Sequence, residues 1–203
     1  MPRVAESRAQ ASPISKSQIA RRKRILDAAA RLGARTRLDA VQMLEVARDA
    51  DVAIATLYRY FPSKNGLFAA IFEAEVSAFN EGRQPDEDAD PVDEVTDLLM
   101  GLTRNLLRRP MLAAAMVQAM TAIYFASTIA EVEPTESALG RIILRTIGAE
   151  EPSEQDLGAV RLLGYCWWGA LVSTISGQTT LPKAEADIRL GTQLLLAPYS
   201  GRP

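Results

Sequence analysis

Nine consecutive residues, Thr56-Leu57-Tyr58-Arg59-Tyr60-Phe61-Pro62-Ser63-Lys64, carry two phenolic hydroxyls and two cations. Such groups hydrogen-bond anionic oxygens and the polar edges of bases. Leu57 and Phe61 are four apart, so on a helix they share one face and can hold it against a small core. Tyr58, Arg59 and Lys64 then project elsewhere, with Thr56 beside them. A short helix anchored by apolar residues and offering hydroxyls and positive charge outward is what a DNA groove asks of a reading element. An ordinary amphipathic helix with solvated cations would use the same residue types. The flanking sequence separates the two readings.

Upstream, Met43, Val46 and Ala47 form a short apolar stripe, and Arg48-Asp49-Ala50-Asp51 makes a tight polar connection before Val52. That spacing fits two short helices joined by a brief turn. Downstream, Ser63 is placed to cap the next helix, with Gly66-Leu67-Phe68 in its first turn. The unit is a helix-turn-helix.

On Ile25-Leu26-Asp27-Ala28-Ala29, Val46-Ala47, Val52, Leu57-Tyr58-Arg59-Tyr60-Phe61, Lys64 and Leu67, the segment from about Ile19 to Phe72 resembles the DNA-binding domain of the TetR family of bacterial repressors. Ala40-Val41-Gln42-Met43 and Leu57 to Lys64 look like the actinobacterial sterol-catabolism repressors within that family, and Pro110-Met111-Leu112 with Ala115-Met116 extends the likeness. The resemblance implies phosphate contacts from Tyr58, Tyr60, Lys64 and the Arg21-Arg22-Lys23-Arg24 run, and base readout from Gln42, Ala53, Ala55, Thr56 and Arg59. Three features depart from the family pattern. Gly33 comes early, with Leu38 where an aromatic is usual. Gln42 replaces the Ser or Thr that normally starts the second helix. Ala55 replaces a glycine and leaves a methyl where the backbone would approach DNA most closely.

Charge supports the same reading. The net charge of −2 hides an asymmetry, because residues 1–64 hold 13 Lys and Arg against 6 Asp and Glu. A cationic module on an acidic body suits a protein that docks one end on phosphate. The chain has no histidine, which excludes Ser-His-Asp and Cys-His catalysis and means that a zinc site would have to be built almost wholly from carboxylates. It also lacks GxxxxGK[ST] and GxGxxG loops. We therefore expect no enzyme, no cofactor and no metal. The single Cys166 sits in an apolar run, suits a reducing cytoplasm and is expected to be a buried packing residue. No signal-peptide h-region or membrane-length apolar stretch is evident.

These residues need a helical scaffold throughout. Residues 1–16 read as a disordered arm, 17–64 as the helix-turn-helix domain, and 65–200 as a ligand-binding and dimerisation body. Ser17 is expected to cap a first helix with the stripe Ile19, Ile25, Leu26, Ala29 and Leu32. Further helices are expected at about 42–49, 53–60 and from Lys64 onward. An acidic linker follows at about 83–90, then helices at 91–108, 110–130, 135–148, 153–177 and 182–197, with Pro110, Pro134 and Pro152 as breaks. No strand alternation appears, so the fold class is all-α.

In the body, Met116, Met120 and Tyr124 are spaced by four, and Phe125, Trp167 and Trp168 add aromatic surface. Plain core would look the same for any one of them. Together they suit a pocket for a bulky apolar, lipid- or steroid-like molecule. Arg104, Arg108 and Arg109 are placed either to meet an acidic group on such a ligand or to end a helix. The last two helices, through Leu163, Cys166, Ala170, Leu171, Leu190 and Leu194, are expected to form a homodimer contact. The function expected is a ligand-responsive repressor on a palindromic double-stranded operator. The competing reading is a helical lipid carrier or enzyme-like protein with a cationic N-terminus for membranes or acidic partners.

Overall fold

The computed structural model describes residues 16–84, 88–126 and 135–201, and these contain helices and connecting turns but no strand. The order is α1 (Lys16–Gly33), a 3₁₀ turn (Leu38–Ala40), α2 (Met43–Asp49), α3 (Ile54–Tyr60), α4 (Lys64–Glu81), α5 (Pro91–Leu107), α6 (Pro110–Ala126), α7 (Ala138–Thr146), α8 (Glu154–Ile175), α9 (Leu181–Leu195) and a final 3₁₀ turn (Ala197–Tyr199).

Local chemistry sets most of the boundaries. Ser63 Oγ accepts from Gly66 N at 3.0 Å and starts α4. Asp90 accepts from Val92 N at 2.8 Å, with Pro91 at the first position of α5, where its missing N–H costs nothing. Ser153 and Asp156 form a reciprocal capping box on α8. At the end of α7, Gly148 takes φ +74° and the chain closes through Ala149 N to Leu144 O at 2.9 Å.

Helices α4 and α6 join the module to the body. α4 packs on α1, α6, α7 and α5, and α6 reaches α1 and the first 3₁₀ turn. Phe68, fully buried on α4, fills the space beside Gly33, where an added Cβ would lie 2.5 Å from Phe68 Cε1 and 3.1 Å from Leu112 Cδ1. This close approach accounts for the early glycine, and buried Leu38 fills the core where the family pattern has an aromatic. α9 packs on α8 and α5. The buried Thr96 and Thr192 hydroxyls meet at 2.6 Å across the α5–α9 contact.

Several expected details differ. Helix α1 already includes Lys16 and Ser17, so Ser17 lies inside the helix and does not cap it, and Ile19 is exposed. The rest of the expected arm, residues 1–15, lies outside the described residues, as do 85–87 of the acidic linker and 127–134 with Pro134. The linker's ends are ordered: Arg83 pairs with Glu94 at 2.8 Å, and Asp90 caps α5. Helix α7 starts at Ala138 because Ser137 Oγ caps it through Gly140 N.

Candidate nucleic-acid interface

Val46 and Ala47 bury one side of α2, and the turn after it closes through Val52 N to Ala47 O at 3.0 Å and Asp51 N to Arg48 O at 3.1 Å. Asp51 carries this reversal at φ +52°, a left-handed conformation that short polar side chains tolerate. The turn delivers Ala53 as N-cap of α3 in extended conformation. Leu57 and Phe61 are fully buried and hold α3 from behind. Ala53, Ala55, Tyr58 and Arg59 are exposed on the other side, with Thr56 half-buried among them. Gln42, the N-cap of α2, is exposed and makes no side-chain cap bond, so its amide is directed to the surface.

Tyr60 requires a correction. It is 6% exposed, against 46% for Tyr58. Leu57, Tyr60 and Phe61 stand at i, i+3 and i+4, which places Tyr60 on the anchoring face. Its ring lies 6.4 Å from that of Phe61, and the Arg59 guanidinium sits 5.8 Å above its centre. It therefore serves the core of the module and not a phosphate.

Lys64 is tied inward as well. Its Nζ donates to the carbonyls of Asp39 at 3.0 Å and Val41 at 3.1 Å, fixing the segment that leads into α2. One of its three donors stays available for an anion. The Arg21–Arg24 run is not a single patch, because successive helical residues are turned by about 100°. Arg22 lies 5.4 Å over the Phe61 ring, and burial pushes its guanidinium below its ordinary pKa. Lys23 pairs with Asp27 at 2.8 Å. Arg24 Nε donates to Ala50 O at 3.2 Å, neutralising the carbonyl end of α2.

The body residues divide differently from their expected grouping. Met116 is buried core, and Met120 is half-buried. Tyr124 and Phe125 are 68% and 83% exposed. Residues 123–126 are all exposed, so among the described residues these two aromatics are not packed into the body's core. Trp167 is buried and donates through Nε1 to Thr103 Oγ1 at 2.9 Å. Phe72 on α4 ties the group together, with its ring 6.2 Å from Trp167 and edge-on to Trp168 at 5.8 Å. Sequence spacing gives no signal for Phe72 in that cluster, since it lies on a different helix from the two tryptophans. Arg104 and Arg109 are paired with Glu185 at 2.6 Å and Glu75 at 2.5 Å, so neither waits for a ligand.

On α8, the core stripe is Val160, Leu163, Trp167 and Leu171. Leu163 and Leu171 therefore face their own subunit. Cys166 is exposed, Ala170 is half-buried, and Leu162 and Tyr165, which spacing had not singled out, stand beside Cys166 on the outer face. On α9, Leu190 and Leu194 are exposed one turn apart. A Cβ on Gly191 would lie 3.8 Å from Cys166 Cβ, so the outer faces of α8 and α9 are continuous.

This arrangement, a helix-turn-helix with an apolar rear and a polar front on a larger helical body, defines a DNA-binding regulator. The chain belongs to the TetR family: residues 25–71 match the model of the bacterial regulatory proteins of that family, and residues 89–195 match the tetracyclin repressor-like C-terminal domain. An HTH-type transcriptional repressor KstR from Rhodococcus jostii is 34% identical over 189 residues, spanning 93% of this chain and 89% of that protein. A repressor of the same name from Mycobacterium tuberculosis is 32% identical over 184 residues, with 90% and 83% covered. The crystal structure of a TetR transcriptional regulator from a Rhodococcus species superposes with a TM-score of 0.77 at 41% identity, over 90% of this chain and 98% of that one. Among the described residues, no helix is long and apolar enough to cross a membrane.

Proposed function

We propose that the chain is a cytoplasmic, non-enzymatic transcriptional repressor that acts as a homodimer and leaves its operator when a hydrophobic, lipid- or steroid-like molecule binds the body. One observation carries this reading. Helix α3 buries Leu57 and Phe61 and turns Ala53, Ala55, Tyr58 and Arg59 outward, in a chain 34% identical to a named repressor over nearly its full length. Residues 17–64 form the DNA-binding domain and 65–200 the effector and dimer domain. Tyr58, Lys64 and the free side of the 21–24 cations meet phosphate, while Gln42, Ala53, Ala55, Thr56 and Arg59 face bases. The dimer sets two copies of α3 in successive major grooves, about 34–36 Å apart.

The effector enters beside Phe72, Met120 and Trp168. Trp167 Nε1 donates to Thr103 Oγ1, and that hydroxyl donates to Leu99 O at 2.7 Å, so both groups are already satisfied and an apolar ligand fits the cluster best. Parting the edge-on Phe72–Trp168 contact strains α4, which leads directly from the module, and changes the spacing between the two copies of α3. Fluorescence anisotropy with operator duplex tests the reading. A dimer contacting six to ten phosphates loses about 10³–10⁵ in affinity between 50 and 200 mM salt. A log–log slope near zero would overturn docking on the backbone. Met120→Trp should abolish release by the effector and leave DNA affinity unchanged.

A further inference from the structure

We infer that this protein selects thymine-containing half-sites by touching C5-methyl groups with the first turn of α3, and takes its one direct hydrogen-bonded base contact on that helix, to a guanine, through Arg59. The inference rests on the proposed DNA reading and adds the base chemistry that α3 recognises.

The exposed front of α3 is unusually poor in hydrogen-bonding groups. Ala53 and Ala55 present methyls, Ile54 is half-buried and apolar, and Thr56 adds another methyl with one hydroxyl. Asn and Gln, the usual bidentate partners of adenine, are absent from residues 53–61. In the major groove thymine is distinguished by its methyl, which Ala and the Thr methyl contact. Arg59 lies four residues after Ala55 and three after Thr56, so its side chain shares a face with both. Tyr58, three residues after Ala55, borders that face and is left for phosphate. Arg59 therefore reaches a base pair one helical turn beyond the methyls, and a guanidinium there pairs bidentately with guanine O6 and N7. Its side chain lies on the Tyr60 ring, which limits its swing.

The test uses the full chain. Duplexes are selected from a random library, and each thymine of the recovered site is replaced in turn by deoxyuridine, which removes only the methyl. One methyl buried is worth about 0.8 kcal/mol, or about fourfold in affinity, and about fifteenfold when both half-sites are substituted. We expect that loss at one or two thymines per half-site. We also expect the thymine-to-uracil ratio to fall to about one for at least one of Ala53→Gly, Ala55→Gly and Thr56→Ser. The ratio is internal to each variant, so a loss of helix stability cancels. A recovered site at which every uracil substitution is silent overturns the inference while leaving the regulator reading intact. A ratio that persists in all three variants also overturns it. Failure to recover any common sequence overturns the DNA reading itself.

Discussion

Lys64 Nζ donates to the carbonyl of Val41 at 3.1 Å, joining the first residue of α4 to the strand of chain that delivers α2. A side chain that resembles a phosphate ligand by position therefore also orders the element beside the recognition helix. Lys64→Met should lower the stability of the protein by about 1 kcal/mol, because two carbonyl acceptors lose their partner. It should also weaken binding to specific and random duplexes by the same factor, since the side chain does not read bases. Urea denaturation and anisotropy measured on the same preparation check both halves. A loss confined to the specific duplex would remove Lys64 from the positioning role.

The two tyrosines of α3 should behave oppositely. Tyr58→Phe removes an exposed hydroxyl and should leave the melting temperature unchanged while weakening all duplexes about ten- to 150-fold, the worth of about one hydrogen bond to a charged group. Tyr60→Phe alters a buried residue and should leave the affinity for every duplex unchanged. Equal loss of DNA affinity from both substitutions would return Tyr60 to the interface.

Gly33→Ala should destabilise by about 1–3 kcal/mol through overpacking, because its Cβ would press on Phe68 and Leu112. Phe68→Leu shortens the obstructing ring, so the double variant should recover part of that loss, as contacting residues are not additive. Additive losses in thermal unfolding would show that the clash is relieved elsewhere.

The helix-turn-helix could be read from the sequence almost to the residue, because its signal is local: Leu57 with Phe61, the short turn before Val52, and Ser63 as cap. For Tyr60 the family position implies phosphate, while helical spacing places it on the buried side with Leu57. The body was legible as helices, from Asp90-Pro91 and Ser153, but not in the facing of those helices. α8 carries apolar residues on nearly every side, so Leu163 and Leu171 could not be told from Leu162 and Tyr165 without knowing where α9 and α5 lie. The Phe72–Trp167–Trp168 contacts depend on tertiary packing and leave no periodic trace.

The dimer surface should follow exposure. Leu194 is 69% exposed and Leu171 is 1% exposed. Leu194→Arg should leave a folded subunit and shift sedimentation equilibrium to monomer, since the partner's apolar face cannot pair a buried charge. Leu171→Arg should instead unfold the protein. A Leu194→Arg dimer as tight as wild type would move the interface off the outer face of α9.

Asp90 gives the fold a defined acid sensitivity. The backbone N–H of Gly201, the Ser200 hydroxyl and the N–H of Val92 all donate to its carboxylate and hold its pKa below the usual value, with the Gly201 contact the largest cause. These bonds tie the chain's last described residues to the start of α5. Because the folded-state pKa is the lower one, the carboxylate's contribution is fully present above the unfolded value of about 3.9 and disappears as pH falls through the folded value. Asp90→Asn keeps the shape but removes the charge. The wild type should therefore be more stable than this variant at pH 5–7, and the gap should close progressively below about pH 4. Urea unfolding of both proteins across that range decides the matter. A gap that widens as pH falls would mean that the Asp90 contacts are made by the neutral acid.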